Sequence, residues 1–519
     1  MIAELLARNA AERPDQAAIF FPEGRGRHAR LTFRELDEES TRLSRALAAH
    51  GVTAGMRTVL MVPPGAPFFT LVWALFKARA VLVLVDPGLG LRSIARSLRE
   101  AEPEAFVGIP KAHLARLAFG WGRETLKRRI VVGRFPGAVS LDSLTGSADP
   151  RPASDDTAAI LFTSGSTGPP KGVVYSHANF QAQVEMIRAT YGIEPGEIDL
   201  PTFAPFALFD AALGMTTVLP EMDFRRPADV DPATILRTAR RFGVTNMFGS
   251  PALVDRVGRH GGGPIPTLRR VLSAGAPVPL RTLERFVKLL PAGVQVFTPY
   301  GATEALPVAS IGSDELLSET RALTERGAGV CVGRPVERMD VRILAITDRP
   351  IERMTDDVLA PPGAWGEITV SGPSVTQLYV NREESTRAAK VEGWHRMGDV
   401  GRFDDKGRLW YGGRKSHRVV TAAGTLFTDP SENVFNAHPL VKRTALVEVA
   451  SRPVLCVELD DRSANRETVR RELLEIGAAV PETSGIETIL FHHRFPVDIR
   501  HNAKIFRENL AVWAAKELS

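Results

Sequence analysis

Between Leu161 and His177 the chain reads LFTSGSTGPPKGVVYSH. The ten residues from Thr163 to Gly172 are Thr, Ser, Gly, Pro and Lys only, and apolar runs enter and leave them. Glycines at 165, 168 and 172 let the backbone come close to a ligand and present its N–H groups. Thr163, Ser164, Ser166 and Thr167 add hydroxyl donors, and Lys171 adds one mobile positive charge. Donors gathered round flexible backbone, with no carboxylate among them, suit a polyphosphate. The usual P-loop is excluded, because Lys171 is followed by Gly172 and not by Ser or Thr. Other chemistries find no support. The 11 histidines and the two cysteines, Cys331 and Cys456, show no zinc-ligand spacing, and no Ser/His/Asp set can be assembled from sequence order.

Such a loop needs rigid elements on either side. The chain supplies alternating strands and helices: TVLMVPPG (58–65) and AVLVLVD (80–86) read as strands, and APFFTLVWALFKARA (66–80) has helical apolar spacing. The segment 233–257 repeats the pattern as helix, strand, helix. Apolar strands alternating with helices predict two mostly parallel sheets buried on both faces, an α/β fold. After about Pro361 the texture changes to short strands with Gly or Asp-Lys-Gly turns, as in WGEITVSG and GRFDDKGRLWYGGR, which predicts a small β-rich subdomain. Past Arg414 strands and a helix near 466–477 predict a small α+β terminal domain. The expected division is 1–413 and 414–519.

Composition sets the outer bounds. The 519 residues are 44% hydrophobic and 24% charged, ordinary for a globular chain that folds without disulfides or metal. A net charge of +5 with no concentrated basic block gives no reason to expect nucleic acid as a partner, and Arg237, Arg240 and Arg241 read as a solvated helix face. The start, MIAELLARNAAE, carries acids and lacks a long apolar centre, so no signal peptide is expected. The apolar region 68–85 is broken by Lys77 and Arg79, so no transmembrane segment is expected either. The cytoplasm is the expected location, and two distant cysteines fit a reducing compartment.

TSGSTGPPKG resembles the phosphate loop of the adenylate-forming superfamily, which includes acyl-CoA synthetases, peptide-synthetase adenylation domains and beetle luciferases. Five further motifs follow in that family's order. SAGAP (Ser273–Pro277, with Gly275, Ala276 and Pro277) resembles the turn that contacts adenine. YGATE (Tyr300, Gly301, Thr303, Glu304) resembles the segment that stacks on adenine and holds Mg²⁺. Gly398–Asp399 resembles the ribose site, and Gly413–Arg414 the hinge into the terminal domain. HNAKIFRE, around Lys504, resembles the terminal lysine motif.

The resemblance implies ATP and Mg²⁺ as cofactors and a definite chemistry. A carboxylate is a poor acyl donor because its leaving group would be oxide. Attack on the α-phosphate of ATP converts it to an acyl adenylate, from which AMP leaves readily. The protein must hold two anions together and offset the charge growing on the phosphate. In that scheme Glu304 supplies a hard oxygen to Mg²⁺, Thr303 donates to the α-phosphate and Tyr300 offers a ring to adenine. Asp399 accepts from the ribose hydroxyls, Arg414 assists, and Lys171 and Lys504 place positive charge at the phosphates and the reacting carboxylate.

The acyl pocket is expected in PTFAPFALFDAALGMTTVLP (201–220), with Phe203, Phe206, Phe209 and the one acid Asp210. Its apolar character favours a fatty acid over an amino acid. The hinge carries Ser416 where relatives usually have Asp or Lys, in GRKSHRVV, and the loop 421–435 is one residue longer before its Pro-x-Glu than in many CoA ligases. With VFNAHPLVKRTALV and VDIRHNAKIFRENLAVWA, these segments are similar to the olefin-biosynthesis β-lactone synthetase branch. That likeness implies a long-chain 2-alkyl-3-hydroxy acid as substrate, its 3-hydroxyl as the internal nucleophile, and assembly with other hydrocarbon-pathway enzymes. A long-chain acyl-CoA ligase, an acyl-AMP ligase serving a carrier protein and a silent adenylate-binding scaffold remain the other readings at this point.

Overall fold

The computed structural model describes residues 1–24, 26–150, 156–162, 169–203, 206–422, 424–497 and 504–519. Apolar runs form a seven-stranded sheet in the order Val139–Ser140, Arg128–Val131, Ala105–Gly108, Arg57–Met61, Val81–Val85, Thr157–Phe162, Gly172–Ser176. Every neighbouring pair is parallel except the last, which closes an antiparallel hairpin with Phe162 opposite Gly172. The helix Ala66–Lys77 buries every side chain from Phe68 to Phe76, as a helix that is apolar all round must.

A second, 14-stranded sheet begins with parallel strands: Ile198–Pro201 between Thr216–Val218 and Asn246–Phe248, then Arg270–Leu272 and Gln295–Ala302. From Gln295–Ala302 onward it turns antiparallel, through Ala305–Gly312, Val330–Pro335, Leu409–Arg414, Trp394–Phe403 and Gly366–Ser371 to Asp340–Leu344. The β-rich segment expected after Pro361 forms this antiparallel end, joined to the rest of the sheet by pairing with Val330–Pro335 and packed on its own core of Val332, Met339, Ile368, Val370, Met397 and Leu409.

Beyond Arg414 lies a small α+β unit. A two-stranded sheet (Val419–Thr421, Gly424–Leu426) and a three-stranded one (Val441–Val449, Arg452–Leu459, Thr488–Phe491) pack with helices Thr428–Asn436, Arg466–Ala478 and Arg507–Leu518. Phe435, Leu446, Leu455 and Leu473 form its core. Asn465 caps the middle helix by accepting from the Glu467 and Thr468 amides. The arginines at 240 and 241 do more than face solvent: Arg240 donates to the Gly263 carbonyl at 2.8 Å and Arg241 to that of Gly26. Among the described residues no helix is long and apolar enough to cross a membrane.

Candidate active site

The carboxyl ends of the parallel strands converge on one cavity of about 3140 Å³, as expected for open α/β sheets. Strand Arg270–Leu272 delivers Gly275, Ala276 and Pro277, strand Ile198–Pro201 delivers Phe203, and strand Thr157–Phe162 leads by way of the phosphate loop to Lys171. Tyr300, Gly301, Thr303, Glu304, Asp399, Arg414 and Lys504 line the same cavity. The expected loop residues Thr163, Ser164, Gly165, Ser166, Thr167 and Gly168 lie outside the described residues.

Thr303 and Glu304 form the two-residue tip of the hairpin between Gln295–Ala302 and Ala305–Gly312, with Ala302 opposite Ala305. Such a tip is short enough to fix where its side chains project. Its carbonyls are tied down from outside: Thr303 accepts from the Tyr175 hydroxyl, and Glu304 accepts from the Thr376 amide at 2.9 Å. The Glu304 carboxylate accepts from the Tyr379 hydroxyl at 2.6 Å, and Lys171 Nζ sits 4.9 Å from the centre of the Tyr379 ring.

Burial would push the Glu304 carboxyl up, but His395, the Tyr379 hydroxyl and the Lys390 ammonium outweigh it and leave it below its ordinary value. Burial pushes Lys171 down, with Glu304 opposing. Lys390, which donates to the Thr376 carbonyl at 2.5 Å, is lowered by burial to about 7. His395 is lowered by burial to about 3, with the Lys390 charge adding to the effect, so it is neutral at neutral pH. The Tyr379 hydrogen bond and the Lys390 charge thus act with His395 against burial at Glu304.

Asp399 and Arg414 face each other across the hairpin of Trp394–Phe403 and Leu409–Arg414, 3.0 Å apart. The Tyr300 hydroxyl donates to the second Asp399 oxygen at 2.7 Å. Burial raises the Asp399 carboxyl, and Arg414 and Tyr300 counter that shift. Gly413, at φ 106°, permits the tight exit into the terminal unit: a Cβ there would stand 2.0 Å from Thr428 Oγ1. The next residues are anchored from the other side, where Lys415 Nζ reaches buried Glu367 at 2.9 Å, shared with Arg396 at 2.6 Å.

Lys504 is set in place by its neighbours. Ile505 bridges to Val497, and Arg507 is paired with Glu432 within the terminal unit. Phe203, Phe206 and Phe209 give the cavity an apolar arm, with Phe206 stacked on Phe248 at 3.9 Å. Asp210 lines a smaller neighbouring cavity of about 50 Å³ together with Phe206, Phe209, Asp199 and Asn246, and accepts from Thr217 Oγ1 at 2.7 Å. Burial pushes Asp199 up to about 7, and burial with the Asp199 charge raises Asp210 well above the carboxylate range, so the pair shares protons.

Sequence reasoning did not single out Tyr175, Tyr379, Lys390 or His395. One signal was available: the chain has only five tyrosines, and four of them (175, 300, 379 and 411) line this cavity.

Residues 6–380 match the model of the family described as AMP-binding enzyme. The chain is 50% identical to the olefin beta-lactone synthetase of Xanthomonas campestris pv. campestris, over 99% of this chain and 98% of that protein. It is 48% identical to the olefin beta-lactone synthetase of Stenotrophomonas maltophilia, over 100% and 98%. Its fold matches that of O-succinylbenzoate coenzyme A synthetase from Bacillus subtilis, solved with ATP and a magnesium ion, at a TM-score of 0.78 and 21% identity over 98% of both chains. A cavity at the carboxyl ends of parallel strands, lined by Lys171, Gly275, Tyr300, Asp399, Arg414 and Lys504, thus coincides with a family match over more than two thirds of the chain: this protein is an adenylate-forming enzyme of the AMP-binding family.

Proposed function

We propose that the protein closes a long-chain 2-alkyl-3-hydroxy acid to a β-lactone, with ATP consumed to AMP and pyrophosphate. The observation that carries this reading is the 50% identity to an olefin beta-lactone synthetase over essentially the full length of both chains, terminal unit included. The acid's carboxylate oxygen attacks the α-phosphorus, the bond to pyrophosphate breaks, and an acyl adenylate results. The 3-hydroxyl oxygen then attacks the acyl carbon, its proton is lost, and AMP departs as the four-membered ring closes. Holding the nucleophile on the same molecule raises its effective concentration and makes a thiol unnecessary.

The residues divide the work by charge. Lys171 and Lys504 offer cations to the phosphates and carboxylate, Arg414 supports Asp399 at the ribose, and the apolar arm of Phe203, Phe206 and Phe209 takes the alkyl chains. Tyr300 with Gly275, Ala276 and Pro277 frames adenine, Asp399 receives the ribose hydroxyls, and Thr303 donates to the α-phosphate. Mg²⁺ fits Glu304: its carboxylate is buried and kept ionised, and one carboxylate completed by phosphate oxygens is a usual magnesium environment. When bound there, Mg²⁺ neutralises phosphate charge. In this reading 1–413 and 414–519 are the two units that move about the hinge at Gly413. The enzyme acts in the cytoplasm, consistent with the free, buried Cys331 and Cys456, beside the other enzymes of its hydrocarbon pathway.

With ATP, Mg²⁺ and a long-chain 3-hydroxy acid, mass spectrometry should find AMP and a product lighter than the acid by one water, without coenzyme A. The 3-deoxy acid should form an adenylate and stall. Steady conversion of the 3-deoxy acid to a thioester with coenzyme A, and no dehydrated product from the hydroxy acid, would replace this reading with an acyl-CoA ligase.

A further inference from the structure

The helices Leu91–Ala101 and Pro110–Phe119 lie side by side on one face of the seven-stranded sheet. Ile94 and Leu98 of the first, and Ala112 and Ala115 of the second, pack into one core with Phe106 and Trp121. Their outer surface gathers several exposed apolar side chains. Leu91, Leu114, Leu117 and Phe119 are 48, 62, 58 and 47% exposed, four of the eleven large apolar side chains that stand out among the described residues. Leu114 and Leu117 are three apart and share a helix face. Phe119 is held over the Trp121 ring at 5.9 Å.

Round these anchors the charge is positive. Arg92, Arg96 and Arg99 are exposed along the first helix, and Lys111 and Arg123 flank the second; none is ion-paired to a described residue. Three of the segment's acids are engaged elsewhere, Glu100 by Arg382 at 2.7 Å, Glu102 by Arg57 at 3.4 Å and Glu104 by Lys127 at 2.7 Å; Glu124, exposed beside Arg123, is the one acid set against the five cations. Exposed leucine and phenylalanine ringed by unpaired cations are what a protein lying on an anionic lipid surface presents.

The active-site cavity reaches this same face. Leu91 and Ile94 line it on one side and Lys111, Ala112 and Ala115 on the other. Leu91 and Lys111 are also exposed, so the cavity meets solvent between the two helices.

We propose that this face docks on an anionic lipid bilayer, with Leu114, Leu117 and Phe119 entering the headgroup layer and the arginines meeting lipid phosphates. A long-chain acid dissolved in the bilayer then enters the cavity between the helices without crossing water. The docking stands independently of the chemistry; only its purpose rests on the proposed substrate.

The test uses the intact protein and sedimentation with vesicles of phosphatidylcholine alone or mixed with phosphatidylglycerol. The protein should bind the mixed vesicles, more weakly as salt rises, and bind neutral vesicles poorly. Leu114→Glu with Leu117→Glu, and separately Arg92→Glu with Arg96→Glu, should each lower binding about 10-fold or more. Neither pair lines the cavity, so pyrophosphate release with a short water-soluble acid should be unchanged, which also reports correct folding. Absence of binding to the mixed vesicles would overturn the proposal, as would equal binding by both double variants. A change of oligomeric state in the variants with no effect on vesicles would instead assign this face to a second copy of the chain.

Discussion

Lys504→Ala should slow acyl-adenylate formation by about 10²–10³-fold, the scale of losing one donor aimed at developing charge. The lysine lines the cavity with Glu304, Asp399 and Lys171, yet it comes from the terminal unit, behind a segment held by the Arg507–Glu432 pair. In the proposed reading it reaches the reacting atoms when that unit closes, and its charge acts most strongly where carboxylate and phosphate draw together. Affinity for ATP should change far less, because the proposed reading gives adenine and ribose to Tyr300, Asp399 and their neighbours. Single-turnover adenylation and nucleotide binding, measured separately, check this. An unchanged adenylation rate would remove Lys504 from the mechanism.

Glu304→Gln should raise the Mg²⁺ concentration needed for half-maximal rate by about 10–100-fold, the loss expected when a metal site is stripped of a supporting carboxylate. The carboxylate sits at a fixed hairpin tip and is kept ionised despite its burial. Glutamine keeps the shape and an acceptor for the Tyr379 hydroxyl but brings no charge. Part of the rate should return as Mg²⁺ is raised. Asp399→Ala should behave differently, weakening ATP by about 1–3 kcal/mol through unpaired ribose hydroxyls, with little change in metal demand. Steady-state rates across an Mg²⁺ series at fixed ATP separate the two. Equal, metal-independent losses would contradict the division of roles.

Much of this site could be read before any coordinates, because its residues come in short runs whose local geometry does the positioning. YGATE is a hairpin tip, and Asp399 with Arg414 is a cross-strand pair separated by one turn. What could not be read depends on contacts between distant segments. Tyr379 lies 75 residues from the Glu304 carboxylate it holds, and nothing local in QLYVN points to that partner. Lys390 and His395 acquire their shifted character from burial, which composition does not reveal. Asp210 lies among the pocket phenylalanines in sequence and shares a small cavity with Phe206 and Phe209, but its bonding to Thr217 and its pairing with Asp199 depend on distant strands. The strands after Pro361 read as a β-rich subdomain from texture, and they do pack on their own core; that they also join the 14-stranded sheet rests on long-range pairing that no local run reveals.

The central claim is that the carboxylate is activated and the 3-hydroxyl attacks it. Tracing heavy oxygen through the reaction tests this directly. An acid labelled in both carboxylate oxygens should pass one heavy atom to the phosphate of AMP and keep the other as the lactone carbonyl. An acid labelled only at the 3-hydroxyl should place its heavy atom in the lactone ring and none in AMP. Heavy AMP from the hydroxyl-labelled acid, with both carboxylate oxygens retained in the lactone, would mean that the hydroxyl had been activated and displaced, and would contradict the account.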